Sequence, residues 1–168
     1  MSEFISRFKE VFCGKKDHVG SFDRLKMSDI KETLMEMGYE PEEGSKSSVL
    51  VFEFGKAVYE VRYEDYWLDI RMYLLYDGSN YFDEELCKKA AEKVNNEIGF
   101  VRSMVGHQED GTFYVIFKYD ILMSSLKEFK KFFPWYFKEI KDASWWYKKF
   151  YKQLQEEKSK NDVVVSEK

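Results

Sequence analysis

Between residues 49 and 74, apolar side chains fall on every second position, and two tight turns can be placed among them. Alternation of this kind is the mark of strands with one buried face. It predicts three strands, at 49–54, 57–63 and 66–74. Phe54-Gly55-Lys56-Ala57 reads as a two-residue hairpin with glycine at the first central position, as a type II′ turn requires. Tyr63-Glu64-Asp65-Tyr66 has the same loop length with weaker turn chemistry. Together the turns pair Leu50 with Val61, Phe52 with Tyr59 and Phe54 with Ala57. Across the second turn they pair Tyr63 with Tyr66, Val61 with Leu68, Tyr59 with Ile70 and Ala57 with Met72. Every member is apolar or aromatic, so two independent turn assignments yield one apolar sheet face. The opposite face carries Val51, Glu53, Val58, Glu60, Arg62, Trp67, Asp69 and Arg71, and suits solvent.

Helical periodicity surrounds this meander. Phe4, Phe8 and Phe12 recur at steps of four and predict a short amphipathic helix over 1–13. Ile30, Leu34 and Met37 mark a second, starting at Ser28 or Asp29 and stopped by Gly38. Residues 41–45 read as a loop, as do residues 77–80. Leu86, Ala90, Val94 and Ile98 stripe a helix over 83–98. Residues 100–107 and 112–119 suggest a second hairpin around Glu109-Asp110-Gly111. Its register stays open, because Val101 and Val105 fall out of phase with a plain two-residue turn; a bulge or longer loop reconciles them. From 124 to about 157 the pattern is helical again. Pro134 is expected to kink or restart it, and Asp142 or Ser144 to cap a final helix.

The expected fold is therefore α+β. An antiparallel sheet of about five strands, a meander plus a hairpin, is covered on one face by helices, in the order α-α-βββ-α-ββ-α(α). A length of 168 residues suits one domain, at 1–160, with a flexible tail at 161–168. Aromatics are 18% of the chain and charged residues 35%, a mixture that favours a packed core over disorder. The formal net charge of -4 argues against a basic nucleic-acid binder. Cys13 and Cys87 fit no zinc or redox spacing and read as reduced thiols. The N-terminal sequence lacks the basic and apolar regions of a signal peptide, and no stretch approaches the ~20 apolar residues of a membrane span. A cytoplasmic location is expected.

The order helix, meander, helix, hairpin, helix resembles the YbjN-like proteins and the type III secretion chaperone-like fold, over roughly residues 28–142. Leu34-Met35-Glu36-Met37-Gly38-Tyr39-Glu40-Pro41 ahead of the first strand carries part of the resemblance. Ala90-Ala91-Glu92-Lys93-Val94-Asn95-Asn96-Glu97, running into Phe100-Val101-Arg102, carries the rest. The resemblance implies a bacterial binding module, since type III chaperones dimerise and hold extended segments of secreted partners. It brings no catalytic residues. The aromatic segments at both ends depart from the pattern.

Candidate chemistry is sparse. Glu60 and Asp69 would face each other on the polar sheet face, a carboxylate pair with Arg62 and Arg71 beside it. That arrangement is explained as a solvent-facing checkerboard. His18 and His107 have no partner pattern for catalysis, and Cys87 reads as a core residue. No catalytic, metal or cofactor site is expected. The regional anomaly is residues 124–160, with ten lysines against five acidic residues. The same segment holds more aromatics than one helix face can bury. Trp135 and Trp145 fall off its main apolar stripe, and Phe132, Trp135, Tyr136, Trp145 and Trp146 are the candidate partner-binding residues.

The sequence thus favours a non-enzymatic protein-binding module, chaperone-like or regulatory, with another protein or a second copy of itself as partner. One alternative is a small-molecule binder or enzyme with a pocket between sheet and helices, using Tyr59, Tyr63, Tyr66 and Tyr73. Another is an anionic surface, membrane or nucleic acid, held by the basic aromatic helices.

Overall fold

A computed structural model describes residues 24–75, 82–109 and 112–166. The N-terminal helix expected over 1–13, Cys13, His18 and the 77–80 loop lie outside the described residues. The elements are α1 (Met27–Glu36), β1 (Glu42–Glu43), β2 (Val49–Phe54), β3 (Ala57–Glu64), β4 (Trp67–Leu75), α2 (Glu84–Glu97), β5 (Arg102–His107), β6 (Phe113–Leu122) and α3 (Leu126–Ser166). The strands form one antiparallel sheet in the order β1-β2-β3-β4-β6-β5. The α+β class stands, with six strands where about five were expected. The extra strand is β1, read from sequence as loop. It pairs with β2 through Glu42 opposite Val51 and Glu43 opposite Leu50. Gly44 allows the close return: a Cβ there would lie 2.8 Å from Val49 Cγ1.

The first hairpin has the register expected, Phe54 opposite Ala57 and Leu50 opposite Val61, with Gly55 at φ 66°. The second turn does not lie at 63–66. It is Glu64-Asp65-Tyr66-Trp67, with Asp65 (φ 47°) and Tyr66 (φ 70°) both left-handed, the signature of type I′. The consequence is a slip of two residues. Val61 faces Ile70, Tyr59 faces Met72 and Tyr63 faces Leu68. Because the side-chain period is two, each strand residue keeps its face while changing its partner. Tyr66 leaves the apolar face for the turn, where it is exposed.

Charge accounts for the choice. The expected register sets Glu60 against Asp69, whereas the observed one sets Glu60 against Arg71 and Arg62 against Asp69. Directly opposed like charges destabilise a pair and opposite charges stabilise it, each by about 0.2–1 kcal/mol. Two non-glycine residues at positive φ cost something in return.

Helix α1 ends in a Schellman arrangement. Gly38 (φ 85°) lets the Tyr39 N–H reach the Leu34 carbonyl at 3.0 Å, while the Gly38 N–H bonds Met35 at 3.0 Å. Helix α2 begins at Asp83, whose carboxylate accepts from the N–H groups of Glu85 (2.9 Å) and Leu86 (3.2 Å). The β5–β6 hairpin closes on a five-residue loop, His107 opposite Phe113, with the Gln108 N–H on the Thr112 carbonyl at 2.8 Å. That loop length brings Val101, Ser103 and Val105 into phase with Val115 and Phe117.

The C-terminal segment is one helix. Pro134 neither ends nor restarts it, and neither Asp142 nor Ser144 caps a new one. Pro134 is exposed, so the Lys130 carbonyl that loses its N–H partner belongs to the solvent side of the helix. The opposite side buries Phe129, Phe133, Phe137, Ile140, Tyr147 and Phe150 on the apolar sheet face. Phe137 sits 4.7 Å from Tyr59 and 6.0 Å from Phe52, ring to ring, and Tyr147 packs edge-on to Phe117 at 5.6 Å. Burial on this scale outweighs a single proline. The first turn is held by Glu128, which accepts from the Ser124 N–H (3.0 Å) and hydroxyl (2.8 Å). Near the far end Lys158 bonds Asp83 at 2.5 Å, tying α3 to the start of α2.

Candidate functional site

The aromatics of α3 divide by helical phase. Those on the apolar stripe are buried, and the two tryptophans off it are not: Trp135 is 45% exposed and Trp145 57%. Of the other sequence candidates, Phe132 is exposed, Trp146 is partly buried against the core and Tyr136 is buried. Ten residues separate Trp135 from Trp145, or roughly 15 Å along the axis. The Lys138–Asp142 ion pair (2.5 Å) lies between them. The exposed aromatics therefore form two groups rather than one patch.

The first group is built on buried rings. Trp135 lies 5.0 Å from Tyr136 and 6.3 Å from Tyr119, both edge-on, and Phe132 lies 6.3 Å from Tyr136. Phe100, in the turn between α2 and β5, completes it at 6.5 Å from Trp135. Phe100 is 69% exposed and was not singled out from sequence. Its position directly after Gly99, where α2 gives way to β5, was the available signal. Lys131 stands 4.9 Å over the Phe132 ring. The second group is Trp145 and Trp146 at 4.9 Å, with the Lys149 ammonium 4.5 Å from one ring and 5.5 Å from the other.

Asn95 explains why the helix-to-strand passage is well specified. Its side-chain amide brackets one residue of β5: Nδ2 donates to the Ser103 carbonyl (2.8 Å) and the Ser103 N–H donates to Oδ1 (2.6 Å). Ser103 points these groups away from β6, on the open edge of the sheet. The amide occupies part of the edge that another strand would otherwise use.

The remaining candidates do not assemble a reactive site. Glu60 and Asp69 are not opposed. Glu60 takes a hydrogen bond from Arg62 Nε, and Asp69 takes three contacts of 2.6–3.1 Å from Arg71. Asp69 also meets Lys118 at 3.5 Å, and Lys118 meets Asp120 at 3.0 Å. Donating to the Asp69 carboxylate holds the Arg71 guanidinium well above its ordinary pKa. His107 Nε2 lies 3.1 Å from Glu84 Oε1 at an exposed strand end. Cys87 is buried, and burial pushes its thiol up. The four tyrosines of the pocket alternative are scattered. Tyr59 is buried, and desolvation raises its hydroxyl to about 12. Tyr63 donates to the Met123 carbonyl at 3.0 Å, Tyr66 is in a turn and Tyr73 is on the outer face. A concavity of about 400 Å³ near Tyr63 opens widely to solvent between Arg24–Met27 and Tyr63–Asp65. Among the described residues, no group of three His, Cys, Asp or Glu is placed to hold a metal, and no helix is long and apolar enough to cross a membrane.

No protein-family model matches the sequence, and no curated protein matches it. Solved structures do match at the level of fold. YbjN from E. coli, described as a candidate transcription regulator, superposes with a TM-score of 0.57 at 11% identity, covering 73% of this chain and 91% of YbjN. An uncharacterized protein from Methanothermobacter thermautotrophicus superposes with a TM-score of 0.53 at 16% identity, covering 77% of this chain and 98% of that one. Over about three quarters of its length, this chain has the fold of YbjN.

Proposed function

We propose that this chain works by binding another protein, in a chaperone-like or regulatory role, and not by catalysis. The observation that carries the proposal is the group formed by Phe100, Phe132 and Trp135. Three large rings from α3 and the α2–β5 turn are left in water while the rings beneath them are buried. A large aromatic on a rigid, buried support is the usual form of an interface anchor. The fold shared with YbjN is compatible with a regulatory role and does not select a partner.

A photo-crosslinking residue placed at Trp135 tests the proposal, with the same residue at exposed Gln153 as the control. A discrete protein adduct at 135 and none at 153, lost when Phe100 and Phe132 are changed to alanine, is the expected result. Equal adducts at both sites, or none at 135, would remove it.

A second reading rests on the other group. Trp145 and Trp146 with Lys149 above them, and Lys148 and Lys152 exposed beside them, have the chemistry of an anionic surface contact. Sedimentation with vesicles of anionic lipid, against neutral ones, separates this reading from the first.

A further inference from the structure

Among the described residues no element covers the outer face of the sheet, and its side chains follow an unusual order. Along β6 the outward residues are Ile116, Lys118, Asp120 and Leu122; along β4 they are Trp67, Asp69, Arg71 and Tyr73. Each quartet runs apolar, charged, oppositely charged, apolar. Across the strands the register sets Lys118 beside Arg71 and Asp120 beside Asp69. Like charges side by side destabilise a sheet unless opposite charges face them. Arg62 and Glu60 on β3 continue the two charged rows with the opposite order. Trp67, Leu122 and Met104 leave apolar surface exposed on the same face.

From this pattern we propose that the outer face pairs with the outer face of a second copy of the chain. The two-fold axis would lie between the sheets, across the strands, midway between the two charged rows. Each strand then crosses its own counterpart in the antiparallel sense. Under that operation Lys118 faces Asp120 of the other copy, Arg71 faces Asp69 and Arg62 faces Glu60, so six of six central charges meet an opposite charge. Ile116 faces Leu122, and Tyr73 faces Trp67. An axis along β4 instead would set Arg71 against Arg71 and Asp69 against Asp69, which excludes it. Val58 meets Glu64, which is at the exposed end of its strand, and on the flanking strands Arg102 and Glu53 meet no opposite charge and stay at the rim.

The six central charges reach this interface already paired within each chain, Arg71 with Asp69, Lys118 with Asp120 and Arg62 with Glu60, so none of the six is buried alone. Three strands about 4.8 Å apart and four rows about 6.8 Å apart meet across the axis, roughly 400 Å² per copy. Both copies together contribute about 800 Å², the size of a weak, transient contact. Self-association on the order of a hundred micromolar, weakened by salt, is the expected strength. The surface is distinct from the Phe100–Trp135 group, so failure of either proposal leaves the other standing.

Sedimentation velocity of the full chain, with charge-reversed variants mixed, reads the pairing directly. Wild type should dimerise with rising concentration. Lys118→Asp places two acidic residues against two, and Asp120→Lys two lysines against two, so each variant alone should weaken association at least about tenfold. Mixed in equal amounts they should restore a dimer, because every facing pair is again opposite. Trp67→Lys, at an exposed position, should also give a monomer with an unchanged circular dichroism spectrum. A monomeric wild type at several hundred micromolar would overturn the proposal, as would variants that dimerise normally or a mixture that stays monomeric. A monomer whose variants lose a different protein would assign the face to that protein and overturn it equally.

Discussion

Replacing Asn95 with alanine should destabilise the domain far more than its exposed position suggests. The Asn95 amide gives one hydrogen bond to the Ser103 carbonyl and takes one from its N–H, at 2.8 and 2.6 Å. Ser103 is a buried residue, and among the described residues no strand lies beyond the edge it occupies. Each hydrogen bond is worth about 1 kcal/mol net, and a buried peptide group left without a partner costs about 1–3 kcal/mol. Partial access of water moderates the second figure, so the expected loss is about 2–3 kcal/mol. With a urea dependence of about 2 kcal/mol per molar for a domain of this size, the midpoint should fall by roughly 1 M. Asn96→Ala, also exposed and one position on, is the matched control. Hydrogen exchange adds a local readout, since the Ser103 amide should lose at least about tenfold of its protection while Val115 and Phe117 keep theirs. A midpoint for Asn95→Ala within error of Asn96→Ala would refute the bracket.

Further outcomes follow from the core and from the charged caps. Phe137→Ala removes a ring packed on Tyr59, Phe52, Tyr39 and Phe133 and should cost about 3–5 kcal/mol by thermal or urea unfolding; a loss under about 1.5 kcal/mol would contradict the packing. Lys158 and the α2 N-terminal amides hold the Asp83 carboxyl below the usual carboxylate range. Its contribution is therefore present above about pH 4, its unfolded value, and is lost as the pH falls through the lower folded value. Asp83→Asn should flatten that acid limb in a pH series of urea midpoints, and an unchanged limb would count against the cap. At the alkaline end, stability should fall from about pH 10 as the unfolded tyrosine ionises while Tyr59, with its hydroxyl near 12, stays neutral.

The parts of the fold legible in the sequence are those where one residue type decides. Gly55 at the first central position specified its turn, and alternation assigned the inner face from Leu50 to Met72. The second turn was not legible because Glu64-Asp65-Tyr66-Trp67 carries no glycine or asparagine. What selects it is the charge pattern 60–71, a pairwise property that local turn chemistry does not contain. Strand β1 is two charged residues long and has no periodicity to read. Pro134 misled for the opposite reason: a strong local rule was overridden by the apolar stripe on either side of it. Among the candidate partner-binding residues, helical phase correctly separated Trp135 and Trp145 from the buried stripe. It could not show that Tyr136 is buried, that Trp146 is half-buried or that Phe100 joins Trp135, because these depend on how the α2–β5 turn meets α3.

Whether the exposed rings around Trp135 are the docking surface is tested most directly by affinity. The protein crosslinked at position 135, once purified, can be titrated calorimetrically into wild-type chain and into the Phe100→Ala, Phe132→Ala, Trp135→Ala triple variant. An interface anchored on these rings loses at least about 30-fold in Kd, equivalent to ~2 kcal/mol. A triple variant that stays folded and binds within about twofold of wild type would contradict the central claim.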